Sequence, residues 1–262
     1  MNDWSRARKR IILAIVLFFV IVLIGIPFYF LFYQTPTCSD GAKNGDETGV
    51  DCGGSCQRLC TAESLPLVLQ GDPRVLEIAP NVYEVVAIIE NPNATADVYR
   101  ALYTFKLYDA SSNIEVKVIE GSTYIPKGST FAIFEGPFTV EPGVVPRRAV
   151  LEWDRSSIVW RKNTEYEPEL VVRDKKLSKE DTSPRLDAVV ENNSLERVSN
   201  IDFITFISDE NGNIFAASKT FVDDLLPGES MPIIFSWPRP FAKKAGNINI
   251  ITRIFPDRSF IK

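Results

Sequence analysis

Residues 103–109 read Tyr-Thr-Phe-Lys-Leu-Tyr-Asp, and this stretch decides the fold class. Aromatic, β-branched and other apolar residues dominate it, as in β-strands. The alternation between apolar and polar residues is incomplete, which indicates a central strand that is buried rather than half exposed. A turn-forming segment, Asp-Ala-Ser-Ser-Asn at residues 109–113, follows directly. The stretch therefore predicts a strand in the middle of a sheet, ending at a tight turn.

A similar pattern returns about 100 residues later along the chain. Residues 204–209 read Ile-Thr-Phe-Ile-Ser-Asp, one residue shorter than the first stretch, so Phe206 matches Phe105. Upstream, Val-Val-Ala-Ile-Ile-Glu-Asn at 85–91 matches Leu-Asp-Ala-Val-Val-Glu-Asn at 186–192. Matches in the same order at nearly constant spacing predict an internal duplication.

The predicted fold class is an all-β region of two tandem immunoglobulin-like β-sandwiches that follows one N-terminal transmembrane α-helix. Each copy consists of short apolar runs separated by Asn, Gly, Pro and Asp, and no helical stripe of useful length follows residue 61. We place the first sandwich at residues 72–154 and the second at residues 163–262.

Residues 105–109, Phe-Lys-Leu-Tyr-Asp, resemble the signature of the FxLYD domain family, whose members are immunoglobulin-like modules of bacterial and archaeal surface proteins. The segment Glu-Asn-Pro at 90–92 is also similar to the family's pattern. The second copy departs from it, because residues 206–209 read Phe-Ile-Ser-Asp and lack the Leu-Tyr pair. The resemblance implies an architecture, with a divergent second copy, and brings no catalytic role.

A long uncharged segment near the N-terminus predicts a transmembrane helix at residues 11–33. A helix of that length spans about 34 Å, enough for a hydrocarbon core of about 30 Å. Gly25 and Pro27 interrupt the segment, and a kink is expected near the proline. Aromatic residues characteristic of membrane interfaces stand at the outer end. They are Phe28, Tyr29, Phe32 and Tyr33.

The distribution of basic residues predicts the orientation of this helix. Four basic residues precede it, whereas none follows until Lys43, so residues 1–10 are expected in the cytoplasm and the remainder outside the cytoplasmic membrane. The four are Arg6, Arg8, Lys9 and Arg10. A cleaved signal peptide and a lipoprotein modified at Cys38 are the alternatives. The long apolar run and the absence of a good cleavage site favour an uncleaved single-pass anchor.

All four cysteines fall within residues 34–61, for which we predict a disulfide-stapled acidic stalk. They are Cys38, Cys52, Cys56 and Cys60. Outside the cytoplasm such a cluster predicts two disulfides, and the spacing leaves all three pairings open. The pattern C-x-D-G-x-x-N-G-x-E-x-x-x-D-C-G-G-x-C-x-x-x-C is similar to a short module of secreted and surface proteins, which implies a linker or stalk.

Oxygen-bearing residues between the cysteines make calcium the candidate ion of this segment, since calcium takes hard oxygen ligands. The candidate ligands are Asp40, Asn44, Asp46, Glu47 and Asp51. Their spacing does not match an EF-hand loop. A solvated acidic turn held by disulfides is the favoured alternative, and zinc is a third. No other cofactor is predicted.

The composition of the chain argues against two classes of function, nucleic-acid binding and catalysis. A net charge of −5 and a pI near 5.1 argue against nucleic acid as a partner. The chain has no histidine and no phosphate-binding or nucleophile motif, so we expect a protein that is not an enzyme. The prediction is a membrane-anchored envelope or cell-surface protein whose sandwiches serve in binding or structural interaction. The alternative is an extracytoplasmic accessory or scaffold subunit of an envelope enzyme or transport complex.

The expected partners are the lipid bilayer and an unidentified envelope or surface protein, or a glycan. No individual binding residue is predicted. Loops carry contacts in many β-sandwich proteins, so residues 91–97 and 192–199, which follow the same strand in both copies, are candidate contact loops. Each contains a glycosylation sequon, beginning at Asn93 and at Asn192.

Overall fold

The structure is a computed structural model, which describes residues 3–28 and 37–256 of the chain. It forms two compact units, the first ending at Cys56 and the second beginning at Gln57.

The first unit begins with helix α1 (Asp3–Val20), which continues as a π-helical segment (Ile21–Gly25). Residues Arg8–Phe28 have a mean hydropathy of 3.3 and are long and apolar enough to cross a membrane as an anchor or a signal sequence. The wide turn precedes Pro27, which has no N–H to donate to the carbonyl of the preceding turn. The remainder of the predicted span, with Tyr29, Phe32 and Tyr33, lies outside the described residues.

The second unit is built almost entirely of strands, with short 3₁₀ turns at Thr61–Glu63 and Arg155–Ser157. The strands are β1 (Val68–Leu69), β2 (Arg74–Ala79), β3 (Val82–Glu90), β4 (Ala96–Asp109), β5 (Glu115–Ile125), β6 (Thr130–Thr139), β7 (Pro146–Trp153), β8 (Trp160–Lys162), β9 (Leu170–Ser178), β10 (Arg185–Asn192), β11 (Val198–Ser208), β12 (Ile214–Leu225), β13 (Ser230–Ser236) and β14 (Asn247–Ile254). The predicted all-β fold class with one N-terminal apolar helix is confirmed.

The first sandwich consists of two antiparallel sheets. In one sheet β1 and β2 pair with one side of β3 and β6 pairs with the other; in the second, β4 lies between β5 on one side and β7 and β8 on the other. Because side chains alternate along a strand, Tyr103, Phe105 and Leu107 of β4 all point into the space between the sheets. Phe105 is fully buried there, as expected for a central strand.

The second sandwich repeats this plan with three strands in each sheet, β9–β10–β13 and β12–β11–β14. Its core contains Leu186, Phe203 and Phe235, all fully buried or nearly so. Trp237 closes the core and donates a 2.7 Å hydrogen bond from Nε1 to the carbonyl of Ala217.

A third apolar cluster joins the two sandwiches face to face. The outer face of the sheet containing β3 lies against the outer face of the sheet containing β11, and we call this contact the inter-sandwich interface. Its buried apolar residues are Leu76, Val86 and Ala132 from the first sandwich and Ile204, Phe206, Ala217 and Ile251 from the second. The two sandwiches therefore share buried surface.

The expectation that Phe206 matches Phe105 is wrong. Phe203 and Ile207 belong to the core of the second sandwich, whereas Phe206 points the opposite way into the inter-sandwich interface. Strand alternation then gives the inward position to Thr205, which is fully buried and donates a 3.2 Å hydrogen bond to the carbonyl of Asn249. A shift of one residue moves every side chain of a strand to the other face.

The second copy is one residue shorter than the first, and the difference in length falls in the loop before β11. The Asn91 side chain donates to the carbonyl of Ala96, five residues later, whereas Asn192 donates to that of Glu196, only four residues later. The second loop is thus one residue shorter. The difference in residue number between equivalent positions of the two sandwiches falls from 101 at Asn91 and Asn192 to 100 at Ala96 and Glu196, before β11 begins.

Candidate functional site

The predicted disulfides are present in the cysteine-rich segment. Cys38 and Cys56 are bonded across 18 residues with their Cα atoms 5.6 Å apart, and Cys52 and Cys60 are disulfide-bonded as well. Two bridges therefore hold a segment that is too short to bury a core of its own.

The carboxylates of this segment accept hydrogen bonds from nearby backbone. Asp51 accepts from the N–H of Gly41 at 3.0 Å, and Glu47 accepts from the N–H groups of Asn44 at 3.2 Å and of Asp51 at 3.3 Å. Such bonds satisfy both the carboxylates and the backbone of a tight turn.

The other candidate ligands make the same kind of contact. Asp40 accepts from the Asn44 side chain at 2.9 Å and from backbone N–H groups, and these bonds lower the pKa of Asp40. Asp46 accepts from the hydroxyl of Ser55 at 2.7 Å.

The segment brings one metal-type cluster together, in which Glu47 lies within 4.8 Å of the sulfur atoms of Cys38 and Cys56. Both sulfurs are bonded to each other, so they provide no thiolate for a metal. Across residues 3–28 and 37–256, no three carboxylates meet at that distance. The geometry corresponds to the disulfide-held acidic turn, and calcium binding stays a prediction.

A buried polar cluster that the sequence analysis missed lies at the inter-sandwich interface. Arg253 donates from Nη1 to Thr123 Oγ1 at 2.9 Å, which links β14 of the second sandwich to β5 of the first. Its Nη2 lies 3.9 Å from Asp202 Oδ2, and Lys219 Nζ lies 3.8 Å from the same oxygen. The guanidinium also lies over the ring of Phe255, 4.3 Å from its centroid.

Burial dominates the electrostatics of this cluster. Desolvation lowers the pKa of Arg253 to about 10, although Asp202 opposes the shift. Desolvation also raises the pKa of Asp202, against the stabilising effect of Lys219 and Arg253. Among the described atoms, Asp202 Oδ1 and Arg253 Nε are buried without a hydrogen-bond partner.

Two further acidic residues lie on the first sandwich near this cluster. Tyr103 donates its hydroxyl to Glu135 at 2.5 Å, and burial raises the pKa of Tyr103. Glu84 is buried, its Oε2 has no partner among the described residues, and desolvation raises its pKa to about 7. Gly136 gives Glu84 room, because a Cβ there would stand 2.9 Å from its Cγ.

A cavity of about 150 Å³ lies in this polar region, and we call it the inter-sandwich cavity. Its polar lining includes Tyr103, Ser122, Thr123, Glu135, Asp202, Lys219 and Arg253. The sequence held one signal for it, since Asp202 interrupts the apolar run at residues 201–207, and a charge on a buried strand needs a partner. Lys219 lies on the next strand, but Arg253 and Thr123 come from strands far away in the sequence, so the cluster as a whole was not predictable.

The candidate contact loops are held from within by asparagines. Asn91 donates to the carbonyls of Ala96 and Pro126 at 2.9 and 2.7 Å; Asn192 donates to those of Glu196 and Leu225 at 2.8 and 3.1 Å. These side chains satisfy the loop backbone, which is a structural role.

The same contacts bear on the two sequons. Asn192 has no exposed surface, and the Asn93 side chain donates to the carbonyl of Leu65 at 2.9 Å while remaining buried. Neither amide is accessible for modification in the folded protein. The exposed apolar residue of the second loop is Leu195, of which 95% is accessible to solvent.

Comparison with known proteins gives little similarity. No protein-family model matches the chain, and no curated protein sequence matches it. Among solved structures, red sea bream transglutaminase is similar over 70% of this chain and 29% of its own, with 11% identity and a TM-score of 0.21. The chain thus spans less than a third of that enzyme, and a score this low supports no argument about fold or function.

Proposed function

We propose that this protein is anchored in the cytoplasmic membrane by its N-terminal helix and presents two immunoglobulin-like β-sandwiches outside the cytoplasm as one rigid binding or scaffolding unit, without catalysing a reaction. The observation that carries the proposal is the inter-sandwich interface, where apolar residues and the Arg253–Thr123 hydrogen bond join both sandwiches. An apolar interface restrains the relative motion of two modules, which suits recognition or scaffolding.

The location outside the cytoplasm is supported by two features. All four cysteines are disulfide-bonded, and disulfides persist mainly in oxidising compartments. Arg8, Lys9 and Arg10 precede the apolar helix, which favours a cytoplasmic N-terminus. The cysteine-rich segment is then the stalk between the membrane and the sandwiches.

Duplication of one FxLYD-type module is part of the proposal. Asn91 and Asn192 make equivalent bonds in the two loops. Asp109 and Asp209 also play the same part, each accepting backbone N–H groups in the turn after the central strand, such as that of Ser111 at 3.0 Å and that of Asn211 at 3.1 Å. These parallels extend beyond the sequence matches to side-chain geometry.

The exposed Leu195 marks the loop at 192–199 as the first place to look for a partner. A nearly fully exposed leucine at a loop tip has no stabilising role within its own fold, and Leu226 beside the Pro227 turn is also exposed. Exposed apolar side chains of this kind are typical contact residues.

Site-specific photo-crosslinking in intact cells tests the proposal. A photoreactive residue replacing Leu195 should give a discrete adduct with an envelope or surface component. The same residue at Ile114, which is 64% exposed in the 109–114 turn, is the matched control and should give none. An adduct with an envelope enzyme or transporter would favour the accessory-subunit alternative. Absence of any adduct at Leu195, with turnover by the purified protein that an acid-to-amide change abolishes, would contradict the proposal.

A further inference from the structure

The charged groups around the inter-sandwich cavity do not satisfy one another fully. Lys219 and Arg253 lie 3.8 and 3.9 Å from Asp202, beyond the roughly 2.7–2.9 Å of a charge-assisted hydrogen bond. Lys219 makes no hydrogen bond to any described side chain or carbonyl, so its ammonium retains unused donors. A charge in such a setting is stabilised by whatever polar group enters the cavity.

The lining combines opposite charges with hydroxyl groups. Lys219 and Arg253 supply two cations, and Asp202 and Glu135 supply two carboxylates. Arg253 and Asp202 are almost completely buried, whereas Lys219 and Glu135 are only partly buried and are the accessible pair. A ligand with a single charge would be repelled by either Lys219 or Glu135, whereas a ligand that carries both charges complements both residues.

The size of the cavity sets the size of the ligand. At about 30 Å³ for each water molecule, 150 Å³ holds about five waters or a compound with about as many non-hydrogen atoms. Ile133 and Phe134 add an apolar part to the lining, enough to receive a small alkyl group. Glycine and alanine fall in this range.

We propose that the inter-sandwich cavity binds a small zwitterion of the α-amino-acid type, with its carboxylate on Lys219 and its ammonium on Glu135. Asp202 and Arg253, buried deeper in the interface, balance these two charges. Both sandwiches contribute to the site, so binding stabilises the inter-sandwich interface. The inference concerns the second compact unit alone and does not depend on membrane anchoring or on a protein partner.

Titration calorimetry on the purified full-length protein in detergent tests this inference with L-alanine as the probe. Saturable binding of L-alanine is expected, with binding of acetate and of methylamine at least tenfold weaker, because each carries only one of the two charges. If acetate binds as tightly as L-alanine, the site takes simple anions and the inference is wrong. If no probe binds at millimolar concentration, the cavity holds only water and the inference is also wrong.

Substitutions of residues that line the inter-sandwich cavity provide a second test of the proposed binding site. Lys219→Gln should weaken L-alanine binding at least tenfold, and Glu135→Gln should do the same while still accepting the hydroxyl of Tyr103. The matched control is Lys106→Gln, since Lys106 is a strand lysine of similar exposure that pairs with Glu152 at 2.7 Å in another part of the unit. Binding that survives both cavity substitutions, or that Lys106→Gln weakens equally, would overturn the assignment.

Discussion

Arg253 on the last strand of the second sandwich donates a 2.9 Å hydrogen bond to Thr123 on β5 of the first, 130 residues earlier in the chain. Both side chains are buried. The same guanidinium lies 3.9 Å from Asp202 of its own sandwich. One cation therefore links the two sandwiches and balances a buried carboxylate.

We expect Arg253→Leu to lower the free energy of unfolding by about 3–5 kcal/mol, because it leaves Asp202 buried with only the distant ammonium of Lys219. Urea unfolding of the full-length protein measures the change. Arg185→Leu is the control: it removes an exposed pair with Asp187 at 2.7 Å and should cost at most about 1 kcal/mol. Equal effects of the two substitutions would contradict the role assigned to Arg253.

Phe105 and Phe206 should respond differently to truncation, although either change to alanine is expected to cost about 3–5 kcal/mol. Phe105→Ala opens a cavity inside the first sandwich, whereas Phe206→Ala opens one between the sandwiches. Hydrogen exchange should therefore show lost protection in the first sandwich for Phe105→Ala, and along β3, β6 and β11 for Phe206→Ala. If Phe206→Ala left β3 and β6 fully protected, the inter-sandwich interface would not be a shared core.

The stability of the protein should fall as pH rises through the range set by Glu84. Burial raises the pKa of this carboxyl from 4.5 to about 7, so the folded protein keeps a proton that the unfolded chain releases. The stability that the protonated Glu84 carboxyl contributes is fully present below about pH 4.5, declines as pH rises, and is lost above about pH 7. Glu84→Gln, which stays neutral, should remove that decline.

Urea unfolding at about pH 5 and about pH 8 measures this effect, with Glu141→Gln as the exposed control. The advantage of Glu84→Gln over the wild type should be larger at the higher pH, by about 1–3 kcal/mol, the usual cost of burying an unsatisfied polar group. The control should leave the pH dependence unchanged. If the stability of the wild type instead rises over this range just as that of Glu84→Gln does, Glu84 lies in a solvated environment.

Chelation should leave the cysteine-rich segment unchanged, because backbone N–H groups already satisfy Asp51 and Glu47. Hydrogen exchange of residues 37–56 measures this directly. Reduction of the disulfides, in contrast, should greatly increase exchange there, since two bridges replace a core. Loosening by a chelator alone, reproduced by Asp46→Ala, would instead establish the calcium site that the sequence left as an alternative to the acidic turn.

Much of the fold was predictable because its signals are local. The central strand containing Phe105, the turn after Asp109 and the strand ending at Asn91 follow from residue types within a few positions of each other. The two disulfides followed in the same way from four clustered cysteines. Each of these features depends on neighbours in the sequence.

The register of β11 and the inter-sandwich interface were not predictable, because both depend on residues distant in the sequence. The loop after Asn192 is one residue shorter than the loop after Asn91, so Thr205 corresponds to Phe105 and Phe206 lies on the outer face of β11. Aligning Phe206 with Phe105 placed that difference inside the strand instead. Ile204 and Phe206 look like core residues of their own sandwich because burial against another module needs the same residue types. The cavity was missed for the same reason, since its charges converge from several strands.

The central claim is that the two sandwiches stand outside the cytoplasm, and labelling of an introduced cysteine on intact cells tests it most directly. Ile114→Cys places a thiol on an exposed turn, and the four native cysteines are all bonded, so it would be the single reactive site. A membrane-impermeant maleimide added to intact cells should label this thiol without lysis and without reduction. Labelling that appears only after the cells are lysed would place the sandwiches in the cytoplasm and contradict the account.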